Sequence, residues 1–190
     1  MQKGKAVRKI FALVAGSLIC CCAVAAAGPG DMSPDDLGNT LDGQAIHASA
    51  LRGKVVVISF WATWCGYCLR ELPTLAGLQS ITNQRGLPMQ VVAVDYEEPR
   101  DVFRRITKVL QPHLPGLLFT WDRNGALRKP FAAGDGIPVM VLLHRDGSVA
   151  QVRVGYDERD LDDIVSEINV LLNEPVTAPA GATSVQPQSP

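Results

Sequence analysis

Cys65 and Cys68 are the residues whose type and spacing most clearly predict chemistry, within the segment WATWCGYC at 61–68. The β-branched run 54–60 ahead of them predicts a strand buried on both faces, and a helical pattern follows from Cys65 toward Gln84. A thiol at the start of a helix faces unpaired amides and the positive end of the helix dipole, which lower its pKa below the roughly 8.5 of a free cysteine. The second sulfur can reach the first across two residues. This spacing suits attack by one thiol, formation of a mixed disulfide and its resolution by the other thiol.

The same two cysteines also admit a metal site or a structural disulfide. Zinc would need two more Cys or His ligands at short spacing, whereas the three histidines, His47, His113 and His144, lie far away in sequence. A structural disulfide would close a very short loop and would add little stability. Redox chemistry is the favoured interpretation, and the other two remain as alternatives.

Residues 1–27 predict an export signal. Four basic residues precede an uncharged apolar run that starts at Ile10 and ends in three alanines at 25–27, which is the layout of a secretory signal peptide. The run is also close to the roughly 18 apolar residues that a membrane-spanning helix needs, so an N-terminal membrane anchor remains open. In either case we expect a periplasmic body, in an oxidising space where Cys65 and Cys68 are its only cysteines.

The composition is that of one ordinary globular domain with polar extensions: 190 residues, 47% hydrophobic and 19% charged. The formal charge is −1, but four of the 18 bases precede Ile10, so the remainder carries 14 bases against 19 acids, or −5. The sequence has no basic run with interleaved aromatics, so nucleic acid is not expected as a partner. We predict a Pro- and Gly-rich linker at 28–39, the folded domain at 40–173, and a disordered Pro-, Ala- and Ser-rich tail at 174–190.

Strand and helix patterns alternate through the predicted domain. A second buried strand at 90–95 is followed by a helix that opens at Pro99, and this order implies parallel pairing with right-handed crossovers. Two later strands, at 138–144 and 148–154, flank a turn and predict an antiparallel hairpin. The remaining predicted features are a short strand at 117–121, a last helix with an apolar stripe from Leu161 to Leu172, and an apolar face on the Pro99 helix formed by Val102, Phe103, Ile106, Val109 and Leu110. The predicted fold class is α/β, with a mixed central β-sheet flanked by helices.

Several spaced motifs in this order resemble the thioredoxin superfamily, and specifically the exported TlpA/ResA-like thiol-disulfide oxidoreductases. The motifs are Leu41-Asp42-Gly43, the segment 51–56 (LRGKVV), the segment 61–68, Glu71-Leu72-Pro73, Gly136-Ile137-Pro138 and Asp146-Gly147. The resemblance runs from about Leu41 to Leu172. It implies a thioredoxin-like fold with an N-terminal β-hairpin and an inserted strand-helix segment between Asp95 and Trp121.

The resemblance also implies roles for individual residues. Cys65 would be the exposed nucleophile and Cys68 the resolving thiol, with their redox-active disulfide in place of any cofactor or metal. Ile137 and Pro138 would form a cis peptide beside the cysteines and bind the substrate chain. Glu71 would move the proton of the resolving thiol, although its spacing alone favours a solvated helical residue.

Further positions around the cysteines refine these expectations. Trp64 is expected to border the site and contact substrate, whereas Trp61 is expected to pack in the core. Thioredoxin carries a buried acid six positions before its first cysteine, and this chain has Ser59 there. The dipeptide Gly66-Tyr67 resembles that of bacterial disulfide isomerases, whereas Ile137 before the proline resembles the reducing thioredoxins.

The function favoured by the sequence is reduction of disulfides in exported proteins, of the cytochrome c or copper-site maturation type. The family implies a membrane electron donor of the thioredoxin-linked type, and we expect a monomer. One alternative is a disulfide oxidase or isomerase, which Gly66-Tyr67 favours. Another is a copper chaperone that uses Cys65, Cys68 and a histidine such as His144.

Overall fold

The computed structural model describes residues 26–131, 134 and 136–175. The strands are β1 Asp36–Asn39, β2 Ala45–His47, β3 Val55–Trp61, β4 Met89–Tyr96, β5 Leu118–Asp122, β6 Val139–Leu143 and β7 Val149–Val154. The α-helices are α1 Gly66–Gln84, α2 Arg100–Leu110 and α3 Leu161–Asn173. The strands form one seven-stranded sheet in the order β2-β1-β5-β4-β3-β6-β7. The predicted α/β fold with a mixed sheet is confirmed.

Strand β3 is the central element of this sheet and carries the site. It pairs in parallel with β4 and antiparallel with β6, and every one of its residues is buried. Its continuous β-branched sequence fits a position that is covered on both faces. Since β3 ends at Trp61 and α1 begins at Gly66, the intervening loop lies at the carboxyl end of the central strand.

Alternate residues of the central strands belong to two separate apolar clusters, one on each face of the sheet. Val57 of β3 lies in one cluster together with Leu72 of α1, Phe103 of α2 and Ile168 of α3. Ile58 lies in the other, which also contains residues of the N-terminal region and of the segment before β6. The three described α-helices therefore pack on one face, and the same face receives the cysteines.

Two features differ from the sequence-based expectations. Strand β1 falls inside the predicted linker 28–39, because Leu37 inserts into the core and is only 2% exposed. The hairpin of β1 and β2 is antiparallel, as the resemblance implied. On α2 the predicted apolar face is wrong at Val109, which is 56% exposed, whereas Thr107 is buried beside Phe103.

The terminal predictions concern residues that are mostly outside the described part of the chain. The export signal or anchor at 1–27 overlaps it only at residues 26 and 27, and the tail at 174–190 only at 174 and 175. Among the helices of the described residues, none combines the length and apolar character needed to span a bilayer.

Candidate active site

Cys65 and Cys68 lie at the junction between β3 and α1, and they form a disulfide with a Cα–Cα distance of 5.3 Å. Cys65 is the N-cap residue of α1, and its Sγ accepts a hydrogen bond of 3.1 Å from the backbone N–H of Cys68. This sulfur therefore sits at the positive end of the helix dipole, where a thiolate is stabilised. Cys65 keeps 6% of its surface exposed and Cys68 none, so only Cys65 offers a sulfur that an external group can reach.

The segment before β6 forms the second wall of the site. β6 runs antiparallel to β3 with Val139 opposite Phe60, which brings the preceding residues beside the loop that carries Cys65. The Ile137–Pro138 peptide is cis, as the resemblance implied. The carbonyl oxygen of Ile137 lies 3.7 Å from the Sγ of Cys65.

Exposed aromatic side chains flank the disulfide. Trp64 is 67% exposed and Tyr67 60% exposed, on either side of Cys65 in the sequence. The guanidinium of Arg70 lies 4.5 Å above the centre of the Tyr67 ring. Trp61 is fully buried, with its ring edge-on to Phe119 at 5.9 Å. The surface around the sulfur is thus apolar and accessible, which suits contact with a protein chain.

Glu71 is buried on α1, one turn after Cys68, and is only 1% exposed. The solvated alternative for this residue is therefore wrong. Neither carboxyl oxygen has a hydrogen-bond partner among the described residues. Loss of hydration raises the pKa of Glu71 to about 7, while the neighbouring Ser59 hydroxyl, which stays outside hydrogen-bond geometry, lowers it slightly. Ser59 occupies the position of the buried acid in thioredoxin. In this chain Glu71 of α1 supplies a buried acid beside Ser59.

A pair of buried acids, Asp95 and Glu98, was missed from the sequence. The side chain of Glu98 accepts hydrogen bonds from both the backbone N–H and the hydroxyl of Thr63, two residues before Cys65. Asp95 is fully buried at the end of β4, and its oxygens have no described partner. Burial, and then the charge of Glu98, raise the pKa of Asp95 to about 8. The available signal was a lone acid inside the apolar run of β4.

Arg128 was also missed, although it contacts the segment ahead of the cis peptide. Its guanidinium donates to the carbonyl oxygens of Gly134 and Gly136 and, at 3.1 Å, to the Tyr96 hydroxyl. The same group lies 4.7 Å above the Tyr96 ring. Arg128 therefore links β4 to the residues that precede Ile137. Its sequence neighbourhood gives no pattern from which this role could be read.

The histidine of the copper alternative is remote from the sulfurs. His144 follows the far end of β6 and lies six residues after Pro138, which corresponds to roughly 20 Å of extended strand. Its Nδ1 is 2.7 Å from a carboxyl oxygen of Glu174. In the described part of the chain, no group of three or more Cys, His, Asp or Glu side chains could hold a metal ion.

Comparisons with known proteins fit this geometry. The Redoxin family model matches residues 28–169. The thiol-disulfide oxidoreductase ResA of Oceanobacillus iheyensis is 33% identical over 149 residues, covering 74% of each chain. A solved structure of a candidate thiol:disulfide interchange protein DsbE from Chlorobium tepidum superposes with a TM-score of 0.67 and 27% identity, over 77% of this chain and 99% of that one. A candidate protein disulfide isomerase from Bacteroides thetaiotaomicron gives a TM-score of 0.65 and 26% identity, over 78% and 95%.

Proposed function

Because the chain belongs to the redoxin family and is a TlpA/ResA-like thiol-disulfide oxidoreductase, we propose that it reduces disulfides in exported proteins through Cys65 and Cys68. One observation carries the assignment of the two sulfurs. Cys65 is the partly exposed N-cap of α1, and Cys68 is fully buried one turn further on. An attacking thiolate needs exposure and a lowered pKa, whereas a resolving thiol needs only to reach the first sulfur.

The proposed reaction is two successive thiol-disulfide exchanges. The Cys65 thiolate attacks one sulfur of a substrate disulfide, a bond forms between them, and the other substrate sulfur leaves as a thiolate that takes up a proton. The Cys68 thiolate then attacks Cys65, which releases the second substrate thiolate and closes the Cys65–Cys68 disulfide. The substrate gains two electrons and the enzyme dithiol loses them.

Glu71 is proposed to accept the proton of Cys68 before the second exchange. Its carboxyl is buried on the same helix, one turn after the resolving thiol. A pKa raised to about 7 suits a group that must both take and release a proton near neutral pH. Trp64, Ile137 and Pro138 are proposed to contact the substrate chain, since Trp64 is exposed next to Cys65 in the sequence and the Ile137 carbonyl of the cis peptide lies 3.7 Å from the Cys65 sulfur.

The cellular setting is proposed from the family and the N-terminal sequence. The basic and apolar segment 1–27 supports export to the periplasm, either free or anchored to the inner membrane. Regeneration of the dithiol then requires a reductant, which we propose is a membrane protein of the thioredoxin-linked type. Apocytochrome c and copper-site maturation proteins are the proposed substrate class.

A disulfide oxidase or isomerase is the second candidate, and Gly66-Tyr67 between the cysteines favours it. The equilibrium reduction potential separates the two directions of electron flow. We would equilibrate the purified chain in graded redox buffers and follow tryptophan emission, since Trp64 is adjacent to the disulfide. A potential near the roughly −270 mV of thioredoxin supports the reductase. A potential near the roughly −120 mV of strong oxidants would replace it with the oxidase or isomerase.

A further inference from the structure

Two buried acids lie beneath the loop that carries the attacking cysteine, and neither has a part in the exchange reaction described above. Glu98 is 6% exposed and Asp95 is fully buried. We propose that the Asp95–Glu98 pair retains a single proton, held by Asp95 while Glu98 is ionised, and that this carboxyl pair positions the active-site loop through Thr63. The pair is a positioning device, independent of the direction in which electrons flow.

The contacts identify Glu98 as the charged member. Its Oε2 accepts from the Thr63 backbone N–H at 2.9 Å, and its Oε1 accepts from the Thr63 hydroxyl. Two acceptor oxygens are the property of a carboxylate, which has no proton to donate. Its backbone carbonyl also accepts from the indole N–H of Trp121 at 2.7 Å, so the residue is fixed at both ends.

Asp95 has the surroundings of a protonated acid. In the sheet it lies beside Trp61 of β3 and Trp121 of β5, on the same face as both indoles. Its oxygens have no hydrogen-bond partner among the described residues, and none of the four ion pairs found there includes Asp95 or Glu98. Two carboxylates in one apolar site cannot both ionise without a large cost, so one proton must be retained.

The other charged groups around the pair do not supply a counterion. Asp122 of β5 adds a further negative charge that acts on Asp95. On α2, the guanidinium of Arg100 lies over the Trp121 ring, 5.8 Å from its centre. On α1, Glu71 is buried over the same face of the sheet and carries no compensating positive charge.

The backbone between the two acids is held in an unusual conformation. Glu97 has a φ of +58°, a left-handed geometry that non-glycine residues seldom adopt. Such a residue persists where the surrounding contacts over-determine it, and these positions cluster at functional sites. Here the conformation accompanies the turn that places the Glu98 carboxylate against Thr63.

The protonation of Asp95 is coupled to the redox state of the cysteines through charge. Reduction places a thiolate at Cys65, two residues after Thr63, and loss of the Asp95 proton adds a negative charge beneath the same loop. Each event therefore disfavours the other, and the coupling must be reciprocal. The proton affinity of Asp95 should be higher in the reduced protein than in the oxidised protein, by about fivefold at the lower end of usual couplings.

The test is a carboxyl-carbon NMR titration of the full chain labelled with 13C-aspartate, oxidised and then reduced with a phosphine. The Asp95 resonance is identified by its absence in Asp95→Asn, and the exposed acid of α2 supplies the matched control Asp101→Asn. We expect Asp95 to titrate in the alkaline range, to move to higher pH on reduction, and to move to lower pH in Glu98→Gln. Asp101→Asn should leave all three results unchanged.

Titration of Asp95 near the roughly 4 of an ordinary aspartate would overturn the proposal, as would an unchanged midpoint in Glu98→Gln. If the titration midpoint of Asp95 is the same in the oxidised and the reduced protein, the pair is only a structural feature and the coupling is refuted. If either variant fails to fold, an alkaline and redox-dependent aspartate resonance in the native chain still decides the matter. Insulin reduction by the same samples tests the proposed function separately, because the titration requires only that Cys65 and Cys68 be reducible.

Discussion

At the level of single residues, the unequal exposure of the two sulfurs predicts unequal roles. Cys65→Ala should reduce disulfide exchange to the uncatalysed rate, because the buried Cys68 cannot reach an external sulfur. Cys68→Ala should instead accumulate a mixed disulfide with a model peptide disulfide, since the resolving thiol is missing. Intact-mass spectrometry after acid quenching measures both outcomes. Equal accumulation of adducts in the two variants would contradict the assignment.

Glu71 provides a prediction about pH at the same scale. Since burial raises its pKa to about 7, the rate of the resolving step should rise through an ionisation near neutral pH. Glu71→Gln should remove that ionisation and slow resolution by on the order of 100-fold, as expected for loss of a general base. Stopped-flow fluorescence between pH 5 and 9 would measure the profile, with the exposed Glu158→Gln as the control. A native pH profile in Glu71→Gln would remove this residue from the mechanism.

At the level of elements, the contacts of Arg128 predict that this side chain helps to hold the segment before β6, which forms one wall of the site. Its guanidinium joins Tyr96 of β4 to the carbonyls of Gly134 and Gly136, just before Ile137. Arg128→Ala should raise the KM for a protein disulfide by several-fold through loss of charge-assisted hydrogen bonds, each worth about 1.5–3 kcal/mol. The exposed neighbour offers Lys129→Ala as the control. An unchanged KM in Arg128→Ala would show that the segment before β6 keeps its conformation without this contact.

The elements themselves were largely predictable, and the side-chain contacts between them were not. β3 and α1 have strong local patterns, a continuous β-branched run and a helical repeat, so their junction at Cys65 could be placed from sequence. Glu98 meets Thr63, and Asp95 lies beside Trp61, only because β4 lies beside β3, and no local pattern carries that information. Val109 fits a helical apolar stripe but faces solvent, because tertiary packing and not periodicity decides which part of a stripe is covered.

For the whole molecule, buried acids make stability depend on pH. Burial raises the pKa of Glu71 to about 7 and of Asp95 to about 8, and it also raises the pKa of Asp122. Exposed acids such as Asp157 have lowered pKa values, so their effect on stability is confined to pH values below about 4. The effect of the buried acids on stability therefore falls in the interval from about pH 4 to about pH 8.

In this interval the unfolded chain has already released the protons of Glu71 and Asp95, whereas the folded chain retains them. The folded state binds more protons, so the free energy of unfolding should be highest near pH 4 and fall as the pH rises toward 8. For Glu71 alone, the change of its pKa from 4.5 to about 7 corresponds to about 3 kcal/mol.

Urea unfolding of the oxidised chain at intervals across this pH range would measure how the free energy of unfolding changes with pH. Glu71→Gln should flatten this dependence between pH 4.5 and 7, and Asp95→Asn should flatten it further, up to pH 8. The exposed variant Asp101→Asn should keep the native slope, since its carboxyl remains solvated in both states. Stability that does not fall with pH over this range would mean that both carboxyls are already ionised in the folded protein. A proton role for Glu71 and a protonated Asp95 would then both be untenable.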